Sequence, residues 1–244
     1  MRRLPSISRP TSKQPSKTKH MSDNSDTIQF PKNIRYPEEQ LQVWEWQNDF
    51  QQPVCPIEKF GKYTTVPEFY STQLSFVQEE AGFELSGAIL AGDRHDLADA
   101  LADSLFTALG LLNVIGAPCP AVVPLNFEKL APAQTVEVIL KKLSTCKLSQ
   151  DVLDYTGDLV TCLEKIAEDE GIPLLPCFNE VVRSNNSKMW MPEEVNEAKE
   201  KPEYDGWSFT RVTLIGWIGK NLEGKVKKSP SFSPPDFSAI LNLN

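Results

Sequence analysis

Two pairs of carboxylates set the chemical question posed by this chain. In "EEAGFELSGAILAGDRHDLADALADSLF", which runs from Glu79 to Phe106, Glu80 and Glu84 are four residues apart, as are Asp99 and Asp103. Side chains four apart on a helix share one side, about 6 Å along the axis. Two helices joined by a short connection pack antiparallel, so the pairs can face each other across a seam. Four carboxylates placed there repel one another unless a cation sits among them. An all-oxygen donor set suits a hard ion, Mg²⁺ first and Mn²⁺ in its place, with positions left for water and phosphate oxygens. The competing reading is a solvated acidic stripe made of Asp96, Asp99, Asp103 and Thr107. Against it, the only polar side chains between Leu97 and Leu112 are Asp99, Asp103, Ser104 and Thr107, a composition that fits a helix buried on most sides. Spacing by itself leaves the two readings level.

The elements that must position these acids read as helices. The first starts at Pro37, with Glu38 and Glu39 in its first turn and Leu41, Trp44 and Phe50 on its apolar face; Pro53 and Pro56 end it. A second starts near Pro67 and stops around Gly92. Asp93 can then cap a third, from Arg94 to about Ile115, closed by Gly116 and Pro118. A fourth fits "APAQTVEVILKKLSTC" and a fifth "SQDVLDYTGDLVTCLEKIAEDEG". Beyond them, "GIPLLPCFNEVVRSNNSK" holds a short helix, "GWSFTRVTLIGWIGKNLEGK" alternates like a hairpin or loop, and the ending is Pro-rich. The expected fold is all-α, a bundle of about five helices with an irregular C-terminal appendage. Residues 1–27 read as a disordered basic tail, 28–178 as the helical core, and 179–244 as a substrate-binding extension of the same domain. Met21 is an alternative start of translation.

Charge narrows the partners. The chain of 244 residues has a formal net charge of −8, yet its first 20 residues carry six Lys and Arg and no acid, which leaves −14 on the rest. A body that acidic repels nucleic acid and accepts a small polyphosphate only where a metal or local Lys and Arg reverse the sign. No apolar run reaches the length of a membrane span, and no membrane partner is expected. The five cysteines have no paired metal-ligand spacing and suit free thiols in a reducing cytoplasm. With only two histidines, His20 and His95, metal sites built on several imidazoles are excluded.

These motifs resemble the all-α nucleoside triphosphate pyrophosphohydrolases, the MazG-like group that includes phosphoribosyl-ATP pyrophosphohydrolase. Its signature is a helix with E-E-x-x-E, a short turn, and a helix with an acidic pair ending in "ADALAD" or "DELAD". Glu80 and Glu84 match the outer acids of the first motif, Ala81 replaces the middle one, and Glu79 stands one residue early; Asp99 and Asp103 stand in "LADALADSLF". "VWEWQNDFQQPVCP", "FNEVVRSNNSK" and "EGKVKKSPSFSPPDF" are similar to segments of a phage and bacterial branch, with Glu223 in place of the usual Asp. The chain between Lys188 and Gly224 is longer than that branch leads one to expect.

The resemblance implies hydrolysis of a nucleoside triphosphate between the α and β phosphorus, giving a monophosphate and pyrophosphate, with a purine deoxynucleotide such as dGTP as first candidate. It implies metal ligands at Glu80, Glu84, Asp99 and Asp103, a proton acceptor at Glu79 or Glu80, and phosphate or ribose contacts from Asn185, Lys188, Lys225 and Lys228. It also implies a homodimer or homotetramer. Phosphoribosyl-ATP hydrolysis, a dUTPase-like activity, and a helical scaffold that kept the fold without catalysis are the alternatives, the last motivated by Ala81. Trp44, Trp46, Phe50, Trp190, Trp207 and Trp217 could each stack on a base, though core packing accounts for each more simply.

Overall fold

The computed structural model describes residues 34–121, 130–214, 216–222 and 226–242. The tail expected over 1–27, with Met21 and His20, lies outside them, as do Lys225 and Glu223.

Helix α4 (Arg94–Ile115) is the axis on which the rest is built. It begins where Asp93 accepts hydrogen bonds from the backbone N–H groups of His95 (2.7 Å) and Asp96 (3.2 Å), which satisfies donors that the first turn leaves without helical partners. It ends at Gly116, whose φ of 63° is the left-handed conformation that closes helices. From Leu97 to Ile115 every residue is buried except Asp99 and Asp103, which are half-buried. Among the described residues α4 alone is long and apolar enough to cross a membrane, but 83% of its most apolar window is already buried inside the protein.

Four layers of chain wrap α4. Helix α1 (Pro37–Asp49) lies on one side. The second expected helix is a continuous rod in three parts: α2 (Tyr70–Val77), a π turn (Gln78–Glu84) and α3 (Leu85–Ala91). Gly92, at φ 68°, stops the rod, and the chain reverses into α4, so rod and axis run antiparallel. Helices α5 (Pro132–Leu143) and α6 (Ser149–Asp169) pack on each other, α5 also against the π turn and α6 against the axis. The short helix expected after Gly171 is α7 (Leu174–Asn186), 13 residues long, and it packs along α4. The expected boundary at 178/179 falls inside this helix, whose Cys177, Phe178 and Val181 belong to the main core.

A ladder of amides is buried where α1, α2 and α4 meet. Gln40 donates to Asn113 Oδ1 (3.1 Å) and to the Ala117 carbonyl (2.7 Å), and its own oxygen accepts from Cys119 N (2.9 Å). Asn113 donates to Gln47 Oε1 (3.2 Å) and Gln40 O (3.1 Å); Gln47 donates to Gly110 O (3.2 Å) and Gln73 to Thr107 O (3.3 Å). Gly110 leaves the room these amides need, since a Cβ there would stand 2.6 Å from Gln73 Nε2.

The C-terminal part corrects the all-α expectation: the protein is mostly helical, with a small sheet. Strands β1 (Ser208–Arg211), β2 (Trp217–Lys220) and β3 (Val226–Lys227) pair antiparallel in that order, with Ser208 opposite Lys220 and Lys220 opposite Val226. The alternating residues of this ribbon pack on a second, aromatic core. Trp190, fully buried, sits there with Val195 and Ala198 of α8 (Pro192–Ala198) and with Tyr204, Trp207, Phe209 and Trp217. Gly219 permits the contact, because a Cβ would lie 2.9 Å from Trp190 Nε1. The five cysteines are all unpaired and buried.

Candidate functional site

The rod and α4 bring both carboxylate pairs to one seam. Glu79, Glu80 and Glu84 all fall in the π turn. There the backbone bonds run i→i+5, as in Leu85 N to Glu80 O, so residues four apart fall just short of one turn instead of just past it. Both acids of the pair therefore keep one side, while the turn widens toward α4. Ala81 is fully buried and points into the core. Glu80, Asp99 and Asp103 are half-buried, whereas Glu79, Glu84 and Asp96 are exposed. The solvated-stripe reading thus holds for Asp96 and fails for Asp99 and Asp103.

Burial pushes the Glu80 carboxyl from 4.5 up to about 8, and the charges of Asp103, Glu84 and Glu79 push it the same way. Burial also raises Asp103 to about 7, with Asp99 adding repulsion and Lys188 opposing it. Asp99 is raised by burial, against the pull of His95. The side chain of Glu79 enters only through its charge on Glu80. Removing water from an ionised carboxylate disfavours it, and like charges nearby disfavour it again.

The basic residues arrive from the other end of the chain. Asn185 is buried in the last turn of α7, and its Oδ1 accepts from Lys188 Nζ at 2.5 Å. Lys188 is half-buried: burial lowers its pKa, Asp103 opposes that shift, and Lys228 adds to it. Lys228 is exposed, lies 4.1 Å over the Phe232 ring, and acts electrostatically on Asp99 and Asp103. Neither lysine forms an ion pair with a described carboxylate. Glu80, Glu84, Asp99, Asp103, Lys188, Lys228 and Asn185 therefore gather in one region; Lys225 lies outside the described residues. A cleft of about 250 Å³ opens beside them, between Glu84 and Asp99, with Phe83 on its rim.

Among the described residues no three His, Cys, Asp or Glu side chains stand close enough to hold a metal ion together. The acids line a seam and do not form a closed ligand cage. Their chemistry still fits a hard divalent cation. Glu80 Oε2 and Asp99 Oδ1 are buried with no hydrogen-bond partner, and buried carboxylate oxygens left bare are costly unless a proton or cation meets them.

The six aromatic base-stacking candidates are engaged elsewhere. Trp46 stacks on Phe50 at 4.6 Å and meets Phe106 edge-on at 5.3 Å; Trp44 donates to Cys55 O; Trp190, Trp207 and Trp217 form the second core. His95 is half-buried with its ring 5.2 Å from Phe237. Sequence reasoning missed the π turn, for which an i, i+4 pattern carries no separate signal, and the amide ladder, whose Gln40, Gln47 and Asn113 look like surface residues. The chain matches no protein-family model, no curated protein and no solved structure.

Proposed function

We propose that this protein is a divalent-metal-dependent nucleoside triphosphate pyrophosphohydrolase, cutting between the α and β phosphorus to leave a monophosphate and pyrophosphate. The observation that carries the reading is the pair of bare, buried oxygens on Glu80 and Asp99, set among further acids and facing two lysines without ion-pair partners. Acids and lysines that act on one another without a direct ion pair are what a metal–polyphosphate substrate complements.

Glu80, Glu84, Asp99 and Asp103 would hold Mg²⁺ or Mn²⁺. The cation, when bound, would supply charge for the phosphate chain and acidify the attacking water. Glu79 or Glu80, adjacent in the π turn, is the acceptor for that water's proton. Lys188, oriented by Asn185, and Lys228 meet the outer phosphates. The departure from E-E-x-x-E finds a physical account here: a π turn absorbs one extra residue, so Glu79 and Glu80 can answer to the adjacent acids of the motif, with Glu84 as the last. The cleft beside Glu84 and Asp99 leaves Phe83 free to meet a base. A cytoplasmic homodimer or homotetramer acting on a purine deoxynucleotide such as dGTP completes the proposal.

The test is a product screen with each ribo- and deoxynucleoside triphosphate plus Mg²⁺ or Mn²⁺. Monophosphate with pyrophosphate from one base is the expected result. No turnover, together with no turnover of phosphoribosyl-ATP, would leave the scaffold reading, which the absence of a closed ligand cage among the described residues favours.

A further inference from the structure

Lys188 and Lys228 lie 40 positions apart in sequence, yet each is bracketed by the neighbours of the other. Ser229 Oγ, on a side chain that is 5% exposed, donates to Ser187 O at 2.9 Å. Trp190 Nε1 donates to Lys227 O at 3.1 Å. The segment 187–190 therefore holds the segment 227–229 from both sides of Lys228, with Lys188 inside the same bracket. Ser187 is itself fixed: its Oγ donates to Ser184 O at 2.7 Å and accepts from Ser233 N at 2.9 Å. Below it, the strap is fastened again by Arg183 to Pro234 O (2.8 Å) and by Asp236 N to Glu180 (2.8 Å). The charge of Lys228 acts on Lys188 and disfavours its ammonium form, and no described carboxylate forms an ion pair with either. A fold that brackets two basic residues together with part-buried hydrogen bonds, Lys188 half-buried and Lys228 exposed, is arranged for an anion able to meet both.

We propose that Ser229 is a positioning residue: its bond to Ser187 O, with the Trp190 indole on Lys227 O, sets the Lys188–Lys228 pair as a two-point receptor for the phosphate chain. This deepens the functional reading above and rests on it for the identity of the nucleotide, but not for the phosphate binding itself. The probe is inorganic tripolyphosphate with Mg²⁺, measured by titration calorimetry on the full chain. Ser229→Ala is expected to weaken binding about fivefold, the worth of one hydrogen bond, and Ser229→Thr, which keeps the hydroxyl, to bind within about twofold of the parent. In a Lys228→Met background Ser229→Ala is expected to have no further effect, because there is no second charge left to place. Equal losses in both backgrounds, or no loss in either, would overturn the proposal. So would a parent protein that does not bind tripolyphosphate. Coupled losses without hydrolysis of any nucleotide would keep the receptor and sink the enzyme; hydrolysis with uncoupled losses would do the reverse.

Discussion

Helix α4 carries two polar seams, and they are built on opposite terms. Along its C-terminal half, Asn113 and the backbone of Gly110 and Thr107 meet Gln40, Gln47 and Gln73, and the amide groups of that seam find partners. Along its N-terminal half, Asp103 meets Glu80 and Asp99 meets Glu84, and two carboxylate oxygens there have no partner. The other unpartnered buried atoms among the described residues, in Trp46, Ser104, Ser149 and Thr156, are neutral groups, for which the penalty is smaller. A satisfied polar seam fixes how helices register, whereas an unsatisfied charged one costs stability that only a ligand returns. Under the proposed reading, the two halves of one helix separate structure from function.

The sharpest way to break that comparison is to neutralise the acids. Glu84→Gln and Asp103→Asn should each lower nucleotide turnover by about 10²–10⁴-fold, the range for losing a group that acts on the reacting atoms, while helical content by circular dichroism stays at the parent level. The metal-free Asp103→Asn protein should also melt higher than the parent, because a buried repelling charge is gone. Near-normal turnover in both variants would mean that the acidic seam is structural after all.

A pH series sharpens it further. Glu80 and Asp103 have folded-state pKa values raised to about 8 and about 7, so the folded protein holds these protons more tightly than the unfolded chain. Their stabilising contribution is therefore complete below the ordinary carboxylate range and is lost as pH rises through 7 and 8. Metal-free protein should lose several degrees of melting temperature between pH 5 and pH 9, and Mg²⁺ or Mn²⁺ should flatten the curve, as should Glu80→Gln. A melting temperature that rises with pH in chelator would contradict the assignment.

How much of this was legible in the sequence depended on whether the signal was local. Asp93, Gly92 and Gly116 mark helix ends through their own backbone chemistry, and the ends fall where those residues stand. The near absence of polar residues between Leu97 and Leu112 pointed to a buried helix, and burial then singled out Asp99 and Asp103. The sheet was harder: "SFTR" and "WIGK" pair around the Trp190 cluster, and nothing within either strand announces an aromatic core assembled from 190 to 217. Hardest was the amide ladder. Gln40 and Gln47 look like the polar face of α1, and only the approach of Asn113, 73 and 66 positions away, makes that face an interior one.

The amide seam should respond in the opposite sense from the acidic one. Asn113→Ala would leave Gln47 Oε1 and the Gln40 carbonyl without their partner, at a cost of about 1–3 kcal/mol read from urea unfolding, with turnover per folded molecule unchanged. A loss of activity larger than the loss of folded protein would show that the two seams are coupled through α4.

The smallest and most local test is Gly110→Ala. The new Cβ would lie 2.6 Å from Gln73 Nε2 and 3.2 Å from Gln47 Nε2, so both side chains must give way. Alanine also gains about 0.5–1 kcal/mol over glycine within a helix, which offsets part of the strain. If the ladder is as tightly registered as its bonds imply, overpacking of about 1–3 kcal/mol wins and the variant unfolds at lower urea. Pairing it with Gln73→Ala removes the obstructing amide, and the helix propensity of alanine should then bring back part of the loss. A Gly110→Ala protein as stable as the parent would mean that the amides tolerate slack, and with it would go the contrast between a rigid, satisfied seam and a strained, waiting one.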